Sequence, residues 1–388
     1  MPPTPAPRGH RAVPFEIFFD LVFVFALTRI LALMRPVTGP AMARALLLLV
    51  LLWLAWSSYA WLGNQVRLDV GGVRAGVLVA MAALFVAALV MPRAWTPAPG
   101  LDAPVLLALA YILLRSLHLG LYHWAAAEHP DLRRRIRLFA TVSAVSWAPL
   151  LLGALLGGAA QAALWVAAFV VEIIGQRLSY ALRGGWPLHS VTHFAERHGL
   201  VLIIALGESL AAAGVGAGAA VTEPRVLGAA LLGLAVAICL WSLYFDLAAP
   251  AGARALGAAT GGRRDRMAAD AYSQAHLLLI VGVIYLACGV EEVLARVAEP
   301  YGGGHHGGRE LSWSGAFALY GGVTLFLAGR LLFLWLSAGP VRPVQLVGAA
   351  VTVALLPVAR LLPAAGALAL LTLLVAATAG YERLARAR

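Results

Sequence analysis

Apolar runs long enough to cross a bilayer recur from one end of this chain to the other, and no other feature constrains its fold as strongly. Two of them read ARALLLLVLLWLAW at 43–56 and GAALLGLAVAICLW at 228–241. A helical span needs about 20 predominantly apolar residues, and in lipid the backbone must satisfy its own hydrogen bonds, as an α-helix does. Of the 388 residues, 62% are hydrophobic and 12% charged, too little charge for a soluble protein of this size. The chain is therefore expected to be an all-α polytopic membrane protein with about twelve transmembrane helices. The spans fall at 15–34, 41–65, 72–92, 104–126, 136–156, 159–181, 194–214, 225–248, 269–294, 314–337, 343–361 and 364–382. Proline and glycine mark the junctions, among them Pro130, the glycine pairs at 157–158 and 184–185, Pro224, Pro250 and YGGGHHGG at 301–308.

The opening stretch MPPTPAPRGHRAVP reads as a polar tail rather than a cleavable signal, because the apolar run behind it already carries Glu16 and Asp20. Cys239 and Cys288 lie inside apolar runs and read as small buried side chains, not as a disulfide or a metal site.

All 29 basic residues are arginine, and the net charge is +11. A basic chain raises the question of nucleic acid. The arginine distribution fits membrane orientation better: nineteen lie at the two termini and on alternate loops, against seven on the opposite loops. By the positive-inside rule this predicts an inner (plasma) membrane protein with both termini cytoplasmic. RRRIR at 133–137 and RRDR at 263–266 are the strongest anchors. The expected partner is the lipid bilayer, with no nucleic acid, and the sequence leaves the oligomeric state open.

The halves resemble each other weakly. At an offset of 180, Glu16 falls on Glu196 and Thr28 on Glu208; at 185, Trp56-Ser57-x-Tyr59 falls on Trp241-Ser242-x-Tyr244. Six spans per half is an even number, so the expected arrangement is two parallel six-helix repeats. The boundaries are a cytoplasmic tail at 1–14, a first repeat at 15–183, a cytoplasmic connector at 184–193, a second repeat at 194–382 and a tail at 383–388.

FEIFFDLVFVFALTRIL at 15–31, HFAERHGLVLIIALGESL at 193–210 and WSLYFD at 241–246 resemble, in that order, motifs of the bacterial low temperature requirement protein A (LtrA) family. The resemblance covers nearly the whole chain. It departs at Arg29, where a polar uncharged residue is usual, and at His198, where an aromatic is usual. It implies a multi-pass inner-membrane protein linked to growth in the cold, and it supplies no reaction. FFDLVFVFALT is also faintly similar to a Phe-Ser-Asp-x-Val-Phe helix of lysosomal and bacterial potassium channels, with Phe19 at the Ser position.

Ionisable residues inside spans are costly, and a functional site is the default expectation for them. Glu16 and Asp20 lie one turn apart at the cytoplasmic end of the first span, Glu196 occupies the matching place in the seventh, and Asp246 is near the inner end of the eighth. They predict an inward vestibule or a polar packing network. Glu208 is expected ~18 Å deeper than Glu196 along its helix, beside Ser209, and Gly207 is expected to admit another helix closely. Arg115 and Arg330 are its available deep partners. His189, His193 and Glu196 could present one face to a metal, yet their position behind Pro187 reads as a surface junction, so no metal and no cofactor is expected; the pair at 305–306 reads as loop.

The function expected is a transporter or channel for an ion or small solute. Its path would use Glu208, Ser209, Glu196, Glu16, Asp20, Asp246, Arg115 and Arg330. The alternative is a non-transporting membrane protein that supports cold or stress growth through lipid or partner interactions. No Walker loop, Gly-x-Ser-x-Gly elbow or HExxH occurs. The question of an enzyme stays open, with Glu16, Asp20, Glu196 and His193 as the only convergent set.

Overall fold

A computed structural model of the chain describes residues 3–7, 9–96, 100–183, 186–299, 310–340 and 343–387. The glycine pair at 184–185, the loop at 301–308 with its two histidines, and Arg309 lie outside the described residues. Among the described residues the chain is helical, without a β-strand. The helices are α1 (Pro14–Leu33), α2 (Gly39–Gln65), α3 (Gly71–Val90), α4 (Ala103–Ala125), α5 (Pro130–Leu156), α6 (Gly158–Arg183) and α7 (Val191–Ala217). They continue with α8 (Pro224–Ala258), α9 (Gly261–Ala298), α10 (Trp313–Ser337), α11 (Pro343–Ala359) and α12 (Ala364–Ala387). Ten are long and apolar enough to cross a membrane. The two that fall short of the expected twelve have separate reasons. Helix α1 carries Glu16, Asp20 and Arg29 within 20 residues, and α11 has only 17, ~26 Å of helix against a hydrocarbon core of about 30 Å.

Local chemistry explains most ends. Pro130 and Pro224 occupy the first turns of α5 and α8, where the missing N–H costs nothing. Asp102 caps α4 by accepting from Val105 N at 3.0 Å, and Ser312 caps α10 by accepting from Gly315 N at 2.9 Å. Gly157 and Gly158 take φ of 67° and 58° between α5 and α6, a conformation open to glycine. Pro250 does not end its helix as the sequence suggested. A π-helical turn at Leu243–Ala248 immediately precedes it, and the wider winding absorbs the bond that proline cannot donate. Similar turns occur at Ala268–Ala275 in α9 and Phe317–Gly321 in α10.

The chain divides into two compact units, with the division inside α7 between Arg197 and His198. In the first, Met1–Leu33 with Ala43–Arg197 and Ala259–Arg266, α1 packs on α3, α3 on α4, α4 on α5 and α5 on α6. In the second, Met34–Met42 with His198–Ala258 and Met267–Arg388, α9 packs on α8, α10 and α12, and α11 on α10 and α12.

The α9–α10 contact is a glycine seam. A Cβ on Gly282 would lie 2.5 Å from Phe326 N, one on Gly289 2.5 Å from Leu319 N, and one on Gly322 2.5 Å from Leu286 N. Small residues let membrane helices pack backbone to backbone, and no rotamer change relieves a clash with backbone. Gly289→Val is expected to lower stability by about 1–3 kcal/mol, read as thermal unfolding in detergent. Gly207→Ala is the control: its Cβ would meet nothing within 4 Å. That also corrects the expectation of close helix approach at Gly207. The helix rotates about 100° per residue, so Gly207 faces outward while Glu208 is buried.

Candidate functional site

The first unit holds a charged cluster with almost no solvent access. Spacing by four sets it up: Glu16 and Asp20 share one face of α1, and His193 and Arg197 share one face of α7. The pairs meet in order along the chain, Glu16 with His193 and Asp20 with Arg197. His193 Nε2 lies 2.9 and 3.0 Å from the Glu16 oxygens, and Arg197 Nη2 donates to Asp20 Oδ1 at 2.6 Å. Arg197 Nη1 also lies 3.0 Å from Glu16 Oε1, tying the pairs together. All four side chains are buried.

Helix α2 closes the cluster. Trp56 Nε1 donates to Asp20 Oδ1 at 2.7 Å, and its ring lies 5.7 Å from the Arg197 guanidinium carbon. Gly63 leaves room for the Glu16 carboxylate, into which a Cβ there would collide. Val13 N donates to Glu16 Oε2 at 3.1 Å.

Asn64, buried on α2, sets the state of His193. Its Oδ1 accepts from the backbone N–H of His189 at 2.7 Å and of Ser190 at 3.1 Å. Its Nδ2 donates to the Ser190 carbonyl at 2.6 Å. That fixes the amide orientation. Nδ2 faces His193 Nδ1 at 3.3 Å and can only donate, so Nδ1 accepts and the ring proton sits on Nε2, aimed at Glu16. His193 is thus a neutral donor. It is not the surface or metal-facing residue that the spacing from His189 suggested. His10, half-buried, stacks on it with centroids 4.2 Å apart.

The other expected site residues lie elsewhere. Glu196 faces away from the cluster, half-exposed, with Arg11 Nε at 2.6 Å and Ala12 N at 3.2 Å; the fourth member of the enzyme set is therefore missing. Arg115, buried on α4, pairs with Glu172 of α6 and with Ser58, while Tyr111 donates to Glu172 Oε2 at 3.0 Å. In the second unit Arg330 holds Glu382 in a two-pronged pair, 2.9 Å for Nη1, and its Nε donates at 2.8 Å to the Leu243 carbonyl at the start of the π-helical turn. Both arginines proposed for Glu208 thus have carboxylates of their own. Asp246 is exposed and pairs with Ser242 and Arg383. Glu208 and Ser209 are buried on α7, and the Ser209 hydroxyl donates to the Leu206 carbonyl at 2.6 Å. A further cluster in that unit centres on buried His276, with Tyr244 Oη 2.6 Å from Nε2 and the Ala271 carbonyl 3.1 Å from Nδ1.

Sequence reasoning passed over Arg197, Asn64, Trp56 and Glu382. For Arg197 a signal existed: its four-residue spacing from His193 matches that of Glu16 from Asp20. Glu382 stands at the very end of the last span expected from the sequence, where hydropathy marks no partner for it.

A family model described as bacterial low temperature requirement A protein (LtrA) matches residues 11–380. The chain is similar to the uncharacterized protein RA0937 of Rhizobium meliloti (strain 1021), with 28% identity over 329 residues, 81% of this chain and 75% of that protein. No solved structure matches the chain.

Proposed function

The chain belongs to the bacterial low temperature requirement A family, and from that premise we propose that it is a transporter or channel for an ion or small solute. The observation that carries this reading is the charge count at the Glu16–Asp20–Arg197–His193 cluster. Two buried carboxylates face one guanidinium and a neutral imidazole. A cluster kept only for packing gains nothing from an uncompensated charge in an apolar interior, whereas such a charge suits a site that exchanges a cation. Glu208 and Ser209, buried in the second unit, are read as a further polar point for that solute. The protein is read as resident in the inner membrane with both termini cytoplasmic, its halves at 15–183 and 194–382 being parallel repeats. The recurrence of motifs at offsets of 180 and 185 supports that arrangement.

The test is flux in proteoliposomes. Wild type is expected to dissipate an imposed ion gradient, and Glu208→Gln and Asp20→Asn to slow it at least tenfold. Equal flux in wild type and Glu208→Gln removes Glu208 from the path, and no flux in wild type removes the transport reading.

The second reading is a non-transporting membrane protein that supports cold growth. The Arg115–Glu172 and Arg330–Glu382 pairs favour it, since each balances one acid with one base. Cold sensitivity on deletion that Glu208→Gln rescues, with no measurable flux, selects it.

A further inference from the structure

We propose that the Glu16–Asp20–Arg197–His193 cluster is a proton-binding site and that the proton sits on Asp20 Oδ2. The inference deepens the transport reading by naming the ligand of one of its sites.

Each acid oxygen of the cluster except one has a donor. Glu16 receives His193 Nε2–H, the Val13 N–H and the Arg197 contact. Asp20 Oδ1 receives Trp56 Nε1–H and Arg197 Nη2–H. Asp20 Oδ2 is buried with no hydrogen-bond partner among the described residues, on a side chain with 0% exposure. The anion would leave both a net negative charge and a bare lone pair in an apolar interior, the more costly outcome. One proton on Oδ2, the oxygen to which no donor points, removes the charge: carboxylate plus proton gives a neutral carboxylic acid, and the cluster becomes one anion, Glu16, against one cation, Arg197. Among the described residues no other cation lies within ion-pair distance of Glu16 or Asp20. Among the groups facing α1, α2 contributes Trp56 and Tyr59, the latter donating its hydroxyl to the Leu114 carbonyl at 2.9 Å. Helix α7 contributes His193 and Arg197, and α3 contributes Arg74, which stacks on Phe15 5.7 Å from the ring rather than on a carboxylate. Beyond His193 lies His10, half-buried at the edge of the cluster. It bonds the carbonyls of Pro7 and Gly63 at 2.9 and 3.2 Å.

The experiment is infrared difference spectroscopy of the full chain in nanodiscs, titrated with acid in H2O and D2O with choline as the only added cation. Wild type is expected to show the carbonyl stretch of a protonated buried carboxyl, shifted in D2O, growing on acidification. Asp20→Asn is expected to lose it. Glu16→Gln, where one carboxylate meets one guanidinium, is expected to lose it over the same pH range. Either variant carries the test if the other fails to fold, and wild type is informative by itself. Absence of the band in wild type, or its survival in Asp20→Asn or unchanged in Glu16→Gln, overturns the assignment. A titration midpoint that moves when Na+ or K+ replaces choline makes the ligand an alkali cation and overturns it too. A titrating band in a protein without flux retires the transport reading alone; flux without the band retires the proton site alone.

Discussion

Arg197→Met is expected to cost about 3–5 kcal/mol of stability, the range for removing one partner of a buried ion pair. The substitution keeps the length of the stem and deletes the guanidinium that, among the described residues, alone faces both Glu16 and Asp20. It also removes the cation beside the Trp56 ring. Glu16 and Asp20, one turn apart, then share an apolar site without a counter-ion. The measurement is unfolding in detergent by heat or by added denaturing surfactant. The loss should shrink as the pH is lowered, because protons can replace the missing charge. A variant as stable as wild type at neutral pH would mean that the carboxylates are neutralised by some other route, and the charge count behind the proposed function would fail with it.

The second large effect is expected at the Arg115–Glu172 pair. Arg115→Leu should cost about 3–5 kcal/mol, since Glu172 stays buried with, among the described residues, only the Tyr111 hydroxyl as donor. Adding Glu172→Leu should recover part of that loss, because an apolar pair of similar volume replaces a balanced ion pair at little net cost while the Tyr111 hydroxyl loses its acceptor. The double-mutant cycle reads this as a coupling energy. The same cycle at Asp20 and Arg197 should recover less. Removing both leaves Glu16 and the Trp56 N–H in the interior with fewer partners. The contrast separates a pair that packs from a cluster with a surplus carboxylate.

Much of the architecture was legible from the residues. A run of about 20 apolar residues has one stable form in a bilayer, so all twelve helices lie where apolar runs stand, and Pro130, Pro224 and Gly157–Gly158 mark ends by local geometry alone. Pro250 misled because its effect depends on whether the preceding turn can widen. Glu16 and Asp20 stood out because charge in an apolar run is costly whatever its partner. Their partners did not, because hydropathy carries no information on which face of one helix meets which face of another.

The sequence by itself determined the class of fold, the location of the helices and the presence of acids that need an answer, because each follows from chain-local free energies of transfer and backbone hydrogen bonding. Only the tertiary structure decided which acids are answered one for one and which are not. It set Arg197, 177 residues along from Asp20, between two carboxylates, and through Asn64 it held His193 neutral beside them. It gave Glu196 to the N-terminal tail and Arg115 and Arg330 to carboxylates of their own. Electrostatic compensation is a property of distances of a few ångströms between helices far apart in the chain, and those distances exist only once the helices have packed.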